Sequence, residues 1–419
     1  MFLPGRDGPH FRCYPRSSGA IDAHGRSSML SAAGIAVFRK RTEGLGGPDA
    51  ASMRNVAVSP MSIGFALSML GAGASKPEGA AGSATFDEIR SALGHANIGD
   101  EETVHETVQD LLAVLEADGL CMANSLWVVA NVKDAFVRKC ELVFDAAVYK
   151  LAGKEAINTY VENKTQGLIR DLLKQDPTSN LLLNVVALKF SWFSKFDTRV
   201  SQLGAVFHAF DGEKPCRMMH KSKSRLNFCK VGTSTVVLLP YANGMDKDAG
   251  EEETEDVDSG LFRFCAVFIL PEATGAPALW ESVDTVFGDI DTVITNASSN
   301  TELVTFSLPA FKVETGTLSI KSDLEALGIR RAFKPGDAEF ERMAEGPTWV
   351  DDVLHNVVIE VDEEGTVAAA ATAVATTKGR SPPVTPVLIN RPFGFGVFDL
   401  KSRETLFVAS VVHPGTTGL

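Results

Sequence analysis

No stretch of the 419 residues reaches the roughly 18 consecutive apolar positions that a membrane-spanning helix needs, so no membrane partner is expected. Positive charge is also short: Lys and Arg number 40 against 53 Asp and Glu, a formal net charge of -13. Phosphate contacts need clustered cations that carboxylates do not outweigh, so no nucleic-acid partner is expected either. The cysteines Cys13, Cys121, Cys140, Cys216, Cys229 and Cys265 form no CxxC pair and have no His at zinc spacing. That pattern excludes a metal knuckle and a dense disulfide framework and leaves free or buried thiols. GxSxG, HExxH, a P-loop and a GxGxxG in dinucleotide context are all missing, and with them the commonest enzyme classes. No catalytic constellation, metal site or cofactor is predicted. The first residues, MFLPGRDGPHFRCYPRSSG, carry Pro, Gly and charge where a secretory signal would carry an apolar run of about 7–15 residues. Residues 1–28 read as a disordered extension, with Met29 as an alternative start.

What is present is an ordinary globular composition, 45% apolar and 22% charged. Much of the acidity is local: between 246 and 258 eight carboxylates face only Lys247, and this stretch reads as a solvated loop. Residues 29–42 are helix-compatible. Ser59 is placed to cap a helix whose first residue is Pro60, since Ser accepts an orphan N–H and Pro lacks the donor wasted there. Ile63, Ala66, Leu67 and Leu70 then form one apolar stripe. A Gly/Ala/Ser-rich link follows over 71–85. A second helix is predicted over 101–115, with Val104, Val108, Leu111, Leu112 and Leu115 inward and an acidic outer face, and a third over 154–174. The run 181–190 is too apolar for a half-exposed strand and predicts a central strand covered on both faces. After Val206 strands are predicted over 235–241, 262–270, 301–308, 354–361, 384–389 and 404–412, with a short helical exception at 323–329. His105 and His220 read as surface residues, and His355 as a structural histidine. The whole reads as a single α+β unit, helices first and sheets later.

Several spaced segments then carry a resemblance. Asn55-x-x-x-Ser59-Pro60-x-Ser62-Ile63-x-x-Ala66-Leu67-x-Met69 resembles the start of helix B in serpins. Asn184-Val-Val-Ala-Leu-Lys-Phe-Ser-Trp192-x-x-x-Phe196 is similar to a serpin strand ending in a buried Trp, and the segment from Ile157 to Ile169 is similar to helix F. Met218-Met219, Leu308-Pro309-x-Phe311, Leu324-x-x-Leu327-Gly328-Ile329, Val353-Leu354-His355 and Asn390-Arg391-Pro392-Phe393-x-Phe395 follow in family order. The resemblance runs from about residue 29 to Pro414. It implies a single-domain serpin fold over 29–414 with three β-sheets, eight to nine helices and an exposed reactive-centre loop at about 363–386, followed by a tail over 415–419. It further implies a hinge made of Glu363, Glu364, Gly365, Thr366, Val367, Ala368, Ala369, Ala370, Ala371 and Thr372. Ser59, Ser62, Asn184 and His355 match the shutter that controls strand separation, and Trp192 and Glu363 match the breach where insertion begins.

The residues themselves suit that role. From 365 to 377 there is no Pro, no Gly after Gly365 and no side chain larger than Val. In a strand Thr366, Ala368, Ala370, Thr372, Val374 and Thr376 share one face, small enough to slide between packed strands. A bulky or charged residue at Ala368 or Ala370 would have to be buried against a close-packed interior. An inserted strand completes a dozen or so backbone hydrogen bonds at about 0.5–1.5 kcal/mol each, releasing on the order of 10 kcal/mol. Downstream lies Lys378-Gly379-Arg380-Ser381-Pro382-Pro383, and trypsin-like proteases select a basic residue before the bond they cut. Family register counted back from Asn390 implies a reactive bond one residue either side of Arg380-Ser381, and the Arg-Ser pair is the natural choice, with Lys378 as second choice; counted forward from Gly365 the loop is one residue longer than the commonest serpin length. The resemblance implies a suicide-substrate inhibitor of trypsin-like serine proteases that traps an acyl-enzyme by loop insertion, a monomer, and an extracellular setting. With no apolar leader in view, the cytoplasm stands as the alternative. Heparin is not an expected partner, because the helix over 101–115 is acidic. The alternative function is that of a non-inhibitory serpin serving as chaperone, carrier or storage protein. Three departures from the family pattern stand out: Val367 replaces a usual Glu, Gly394 and Gly396 replace apolar residues, and Ala310 replaces a common Lys.

Overall fold

The computed structural model describes residues 30–43, 54–74, 83–94, 101–243, 262–366 and 384–415. The extension expected over 1–28, the acidic stretch 246–258, the hinge residues from Val367 to Thr372, the bond Arg380-Ser381 and the tail from 416 onward lie outside these residues.

Nine α-helices surround two hydrogen-bonded β networks among the described residues. Two of the three expected sheets are joined, because the 20-residue strand Gly212–Val231 serves both. Its first half pairs with Gln202–Ala209 and its second half with Ser234–Pro240. Thr301–Pro309 runs antiparallel along most of its length. The other sheet orders Ala147–Lys150, Leu120–Val128, Leu181–Leu188, Asp352–Val361, Gly365–Thr366 and Phe190–Ser191.

Leu181–Leu188 is the covered central strand that its composition predicts, buried along its whole length. Side chains of a strand alternate between faces. Leu182, Val186 and Leu188 join the main core with Met61, Phe65 and Met69 of the helix Pro60–Ala74, while Leu181, Leu183, Val185 and Ala187 join a second cluster with Ile157 and Val161 of the helix Lys154–Lys164. The helix Pro60–Ala74 begins at the predicted Pro, and the Ser62 N–H donates to Ser59 Oγ at 3.3 Å, a capping bond. It is buried on every side, not along one stripe only.

The helical reading of 154–174 overshoots. The helix ends at Lys164, where Thr165 Oγ1 turns back onto the Val161 carbonyl and Gln166 and Gly167 take positive φ. Helices Ala84–Ala92 and Asp134–Phe144 were not foreseen, and Ala276–Gly288 and Ile290–Ser298, set among the later strands, correct the expected order of helices first and sheets later. The last two are rich in Val, Ile and Phe, which mimics strand composition, yet Leu279, Val283, Val286 and Phe287 bury at helical spacing. The first of these helices also explains two departures from the family pattern. A Cβ at Gly394 would lie 2.5 Å from Val283 Cγ2, and one at Gly396 would lie 2.1 Å from Phe287 Cζ. Side chains at both glycines are excluded by the bulk of the helix packed on that strand. Five of the cysteines are buried, and Cys13 lies outside the described residues. None of the described helices is long and apolar enough to cross a membrane.

Candidate functional site

The central sheet contains a seam. Asp352–Val361 and Leu181–Leu188 pair directly and in parallel, from Asp352 opposite Leu181 to Val358 opposite Ala187. Below it sits a fully buried polar cluster made of the four residues expected there. The Ser59 N–H donates to His355 Nε2 at 3.1 Å, so the ring's hydrogen is on Nδ1, which donates to Asn184 Oδ1 at 2.6 Å. Asn184 Nδ2 donates to the Ser62 carbonyl at 2.9 Å and to Ser62 Oγ at 2.6 Å, while Ser59 Oγ donates to the Leu406 carbonyl at 2.7 Å. The cluster thus ties both strands of the seam to the helix Pro60–Ala74. Burial pushes the His355 pKa down to about 4, opposed by the Asn184 backbone bond and aided by the Arg41 charge, so the imidazole is neutral. A neutral ring is what a bond accepted at one nitrogen and donated at the other requires.

Asn124, on the neighbouring strand Leu120–Val128, belongs to the same cluster and was not anticipated. It stands opposite Asn184 in register, and its Oδ1 accepts from Asn184 Nδ2 at 2.7 Å. The one hint in the sequence was an amide beside Ser125 in a mostly apolar run.

At the upper end of the seam the chain reverses. Asp362 Oδ1 accepts from the N–H groups of Glu364 and Gly365 at 2.8 and 3.1 Å, and the Asp362 N–H donates to the Gly365 carbonyl. This turn sends Gly365–Thr366 back down between Val361 on one side and Phe190–Ser191 on the other, antiparallel to both. Gly365 is required there, because a Cβ would meet the Phe190 carbonyl oxygen at 2.0 Å. Trp192 closes the site. Its Nε1 donates to the Asp362 carbonyl at 2.9 Å, and its ring stacks on Tyr241 at 4.6 Å between centroids. The Tyr241 hydroxyl in turn lies 2.8 Å from Thr366 Oγ1. Tyr241 was not foreseen, since its role depends on strands far apart in sequence.

Glu363 is buried, with Oε2 3.1 Å from Arg217 Nη2 and Oε1 accepting from Ser201 Oγ at 2.7 Å. Arg217 supplies the cation that many family members place at the position of Ala310, and the Ala310 N–H donates to the Arg217 carbonyl at 2.8 Å. Lys195 pairs with Glu364 at 2.5 Å. Burial lowers the pKa of nearby Lys221 to about 7, so near neutrality it carries two or three N–H donors. Two histidine expectations are corrected. His105 is 4% exposed and meets Phe144 edge-on, because Leu111, Leu112 and Leu115 bring that helix face into the core. His220 is half-buried with Nδ1 2.8 Å from Ser307 Oγ, placed there by the pairing of the two strands.

A closed parallel seam, a buried polar cluster beneath it and a chain reversal at its upper end together make up the site. The serpin profile, described as serine protease inhibitor, matches residues 48–414, and the chain belongs to the serpin family. Members of this family are in general protease inhibitors rather than enzymes. Among its relatives is Serpin-ZXA of Oryza sativa subsp. japonica, 29% identical over 392 residues that cover 88% of this chain and 92% of the rice protein. The native-state crystal structure of Tengpin, a thermophilic serpin, matches with a TM-score of 0.74 and 25% identity, covering 96% of this chain and 97% of that one. Human thyroxine-binding globulin in complex with its hormone has the same fold, with a TM-score of 0.76 at 22% identity over 93% of this chain and 98% of that one.

Proposed function

We propose that this serpin inhibits trypsin-like serine proteases, with Arg380-Ser381 as the bond offered to them. The protease serine attacks the Arg380 carbonyl and forms an acyl-enzyme, releasing the new amino terminus at Ser381. The freed strand from Gly365 to about Thr377 then enters the seam between Asp352–Val361 and Leu181–Leu188, carrying the acylated protease with it before water can release it. The protein supplies bait and stored free energy, and the covalent chemistry is the protease's own.

The observation that carries this reading is the position of Gly365–Thr366. These two residues already occupy the first register of an inserted strand, antiparallel to both neighbours, while the seam below remains paired. Small side chains over the next eleven positions suit continued entry, as insertion into a close-packed sheet demands. A carrier or storage role needs neither feature.

Incubation with trypsin followed by denaturing gel electrophoresis tests the proposal. A band at the summed mass of both proteins is expected, and Arg380→Glu should abolish it. Cleaved serpin alone, with no covalent band, sinks the inhibitory reading in favour of the non-inhibitory one. A complex retained by the Arg380→Glu variant moves the bait to another bond, with Lys378 next in line.

A further inference from the structure

Lys221 lies within the strand Gly212–Val231, opposite Phe306 of Thr301–Pro309, and is 5% exposed. Its ammonium bonds to the Ser194 carbonyl, to the Lys195 carbonyl at 2.9 Å and to Ser194 Oγ at 3.2 Å, and it lies 4.3 Å from the centroid of the Phe196 ring. Burying an ammonium is costly unless acceptors replace its water shell. Three oxygens and an aromatic face do so here, and all of them belong to one short segment, Trp192 to Phe196.

That segment also holds the hinge. At its two ends the Trp192 N–H donates to the Glu364 carbonyl and the Phe196 N–H to the Glu363 carbonyl, each at 2.9 Å. Its Lys195 side chain pairs with Glu364. The amides at its ends therefore face the hinge, while the carbonyls at its middle face Lys221. The hinge and the long strand are joined through it.

We propose that Lys221 is a positioning residue for strand insertion: by gripping the Ser194 and Lys195 carbonyls it fixes the segment that sets the mouth of the seam at Gly365–Thr366. The proposal deepens the inhibitory reading above and rests on it. With the ammonium gone, the Ser194 and Lys195 carbonyls lose their protein partner and the segment relaxes toward other donors, water among them. The hinge is then no longer held in register with Phe190–Ser191, and entry of the following residues slows. Hydrolysis of the acyl-enzyme is unaffected, so more inhibitor is cleaved for each protease trapped. Recognition of the bait, which precedes strand insertion, is unaffected too.

The test compares full-length wild type with Lys221→Met, which keeps length without donors, and Lys221→Arg, which keeps the charge. Two quantities are read with trypsin: the association rate, and the ratio of cleaved to complexed serpin on a denaturing gel. Loss of a charge-assisted hydrogen bond should raise that ratio about tenfold in Lys221→Met, with the association rate unchanged and most of the effect reversed in Lys221→Arg. An unchanged ratio in Lys221→Met overturns the proposal, as does a raised ratio that Lys221→Arg fails to lower. A third reading separates this proposal from the one beneath it. After trypsin clips the loop, the rate at which tryptophan emission settles reports insertion whether or not protease is trapped. If wild type traps nothing but Lys221→Met still slows that rate, the inhibitory function falls and Lys221 keeps its role. If wild type traps protease and neither rate nor ratio changes in Lys221→Met, Lys221 alone falls.

Discussion

At the scale of single residues, the pairing of Glu363 with Arg217 shows how a departure in sequence is compensated in space. Ala310 stands where a Lys is expected from the family pattern, and the guanidinium of Arg217, whose carbonyl accepts from the Ala310 N–H, reaches the nearby Glu363 carboxylate. The Glu363 side chain is 6% exposed, and a buried carboxylate stripped of its cation costs far more than an exposed one. Arg217→Met should therefore destabilise the native form by about 3 kcal/mol, read as a lower urea midpoint. The double variant Arg217→Met with Glu363→Gln should recover most of that loss, because a neutral amide needs no counter-charge. A double variant as unstable as the single one would mean that the guanidinium acts by packing.

At the scale of elements, the latch beneath the seam joins two strands and a helix through one neutral imidazole. An ordinary unfolded His titrates near 6.5, whereas His355 in the folded protein is held down to about 4. As pH falls through this window the unfolded chain binds a proton that the native form cannot accept. Stability is full above about 6.5 and drains away toward about 4, by roughly 3 kcal/mol in all. Urea melts at a series of pH values should show this slope in wild type and lose most of it in His355→Asn, whatever the variant's absolute stability. Four of the latch residues were legible in the sequence because they lie in segments with family spacing. Asn124 was not, since only strand pairing places it against Asn184. The helices Ala276–Gly288 and Ile290–Ser298 were missed for a related reason: Val, Ile and Phe favour strands locally, and burial against the neighbouring sheet overrides that preference.

At the scale of the whole molecule, the proposed mechanism requires a native form short of its deepest minimum. The strands Asp352–Val361 and Leu181–Leu188 satisfy each other, and a further strand between them adds hydrogen bonds on both of its edges. Cutting the loop should therefore raise the thermal midpoint by about 10 °C, given gains on the order of 10 kcal/mol in a domain of this size. A differential-scanning comparison of intact and trypsin-clipped protein reads this directly, and identical midpoints would remove the driving force from the mechanism.

The sequence alone determined what depends on local chemistry. It marked the covered central strand through its apolar run and the helix start through Ser59 and Pro60. Tertiary structure decided what depends on distant segments meeting: which cation answers Glu363, which amide completes the latch, and which lysine grips the segment behind the hinge. The reason is physical. Backbone preference and periodicity act over a few neighbouring residues, whereas the partner of a buried charge is chosen by whatever the packed sheets bring within about 3 Å of it.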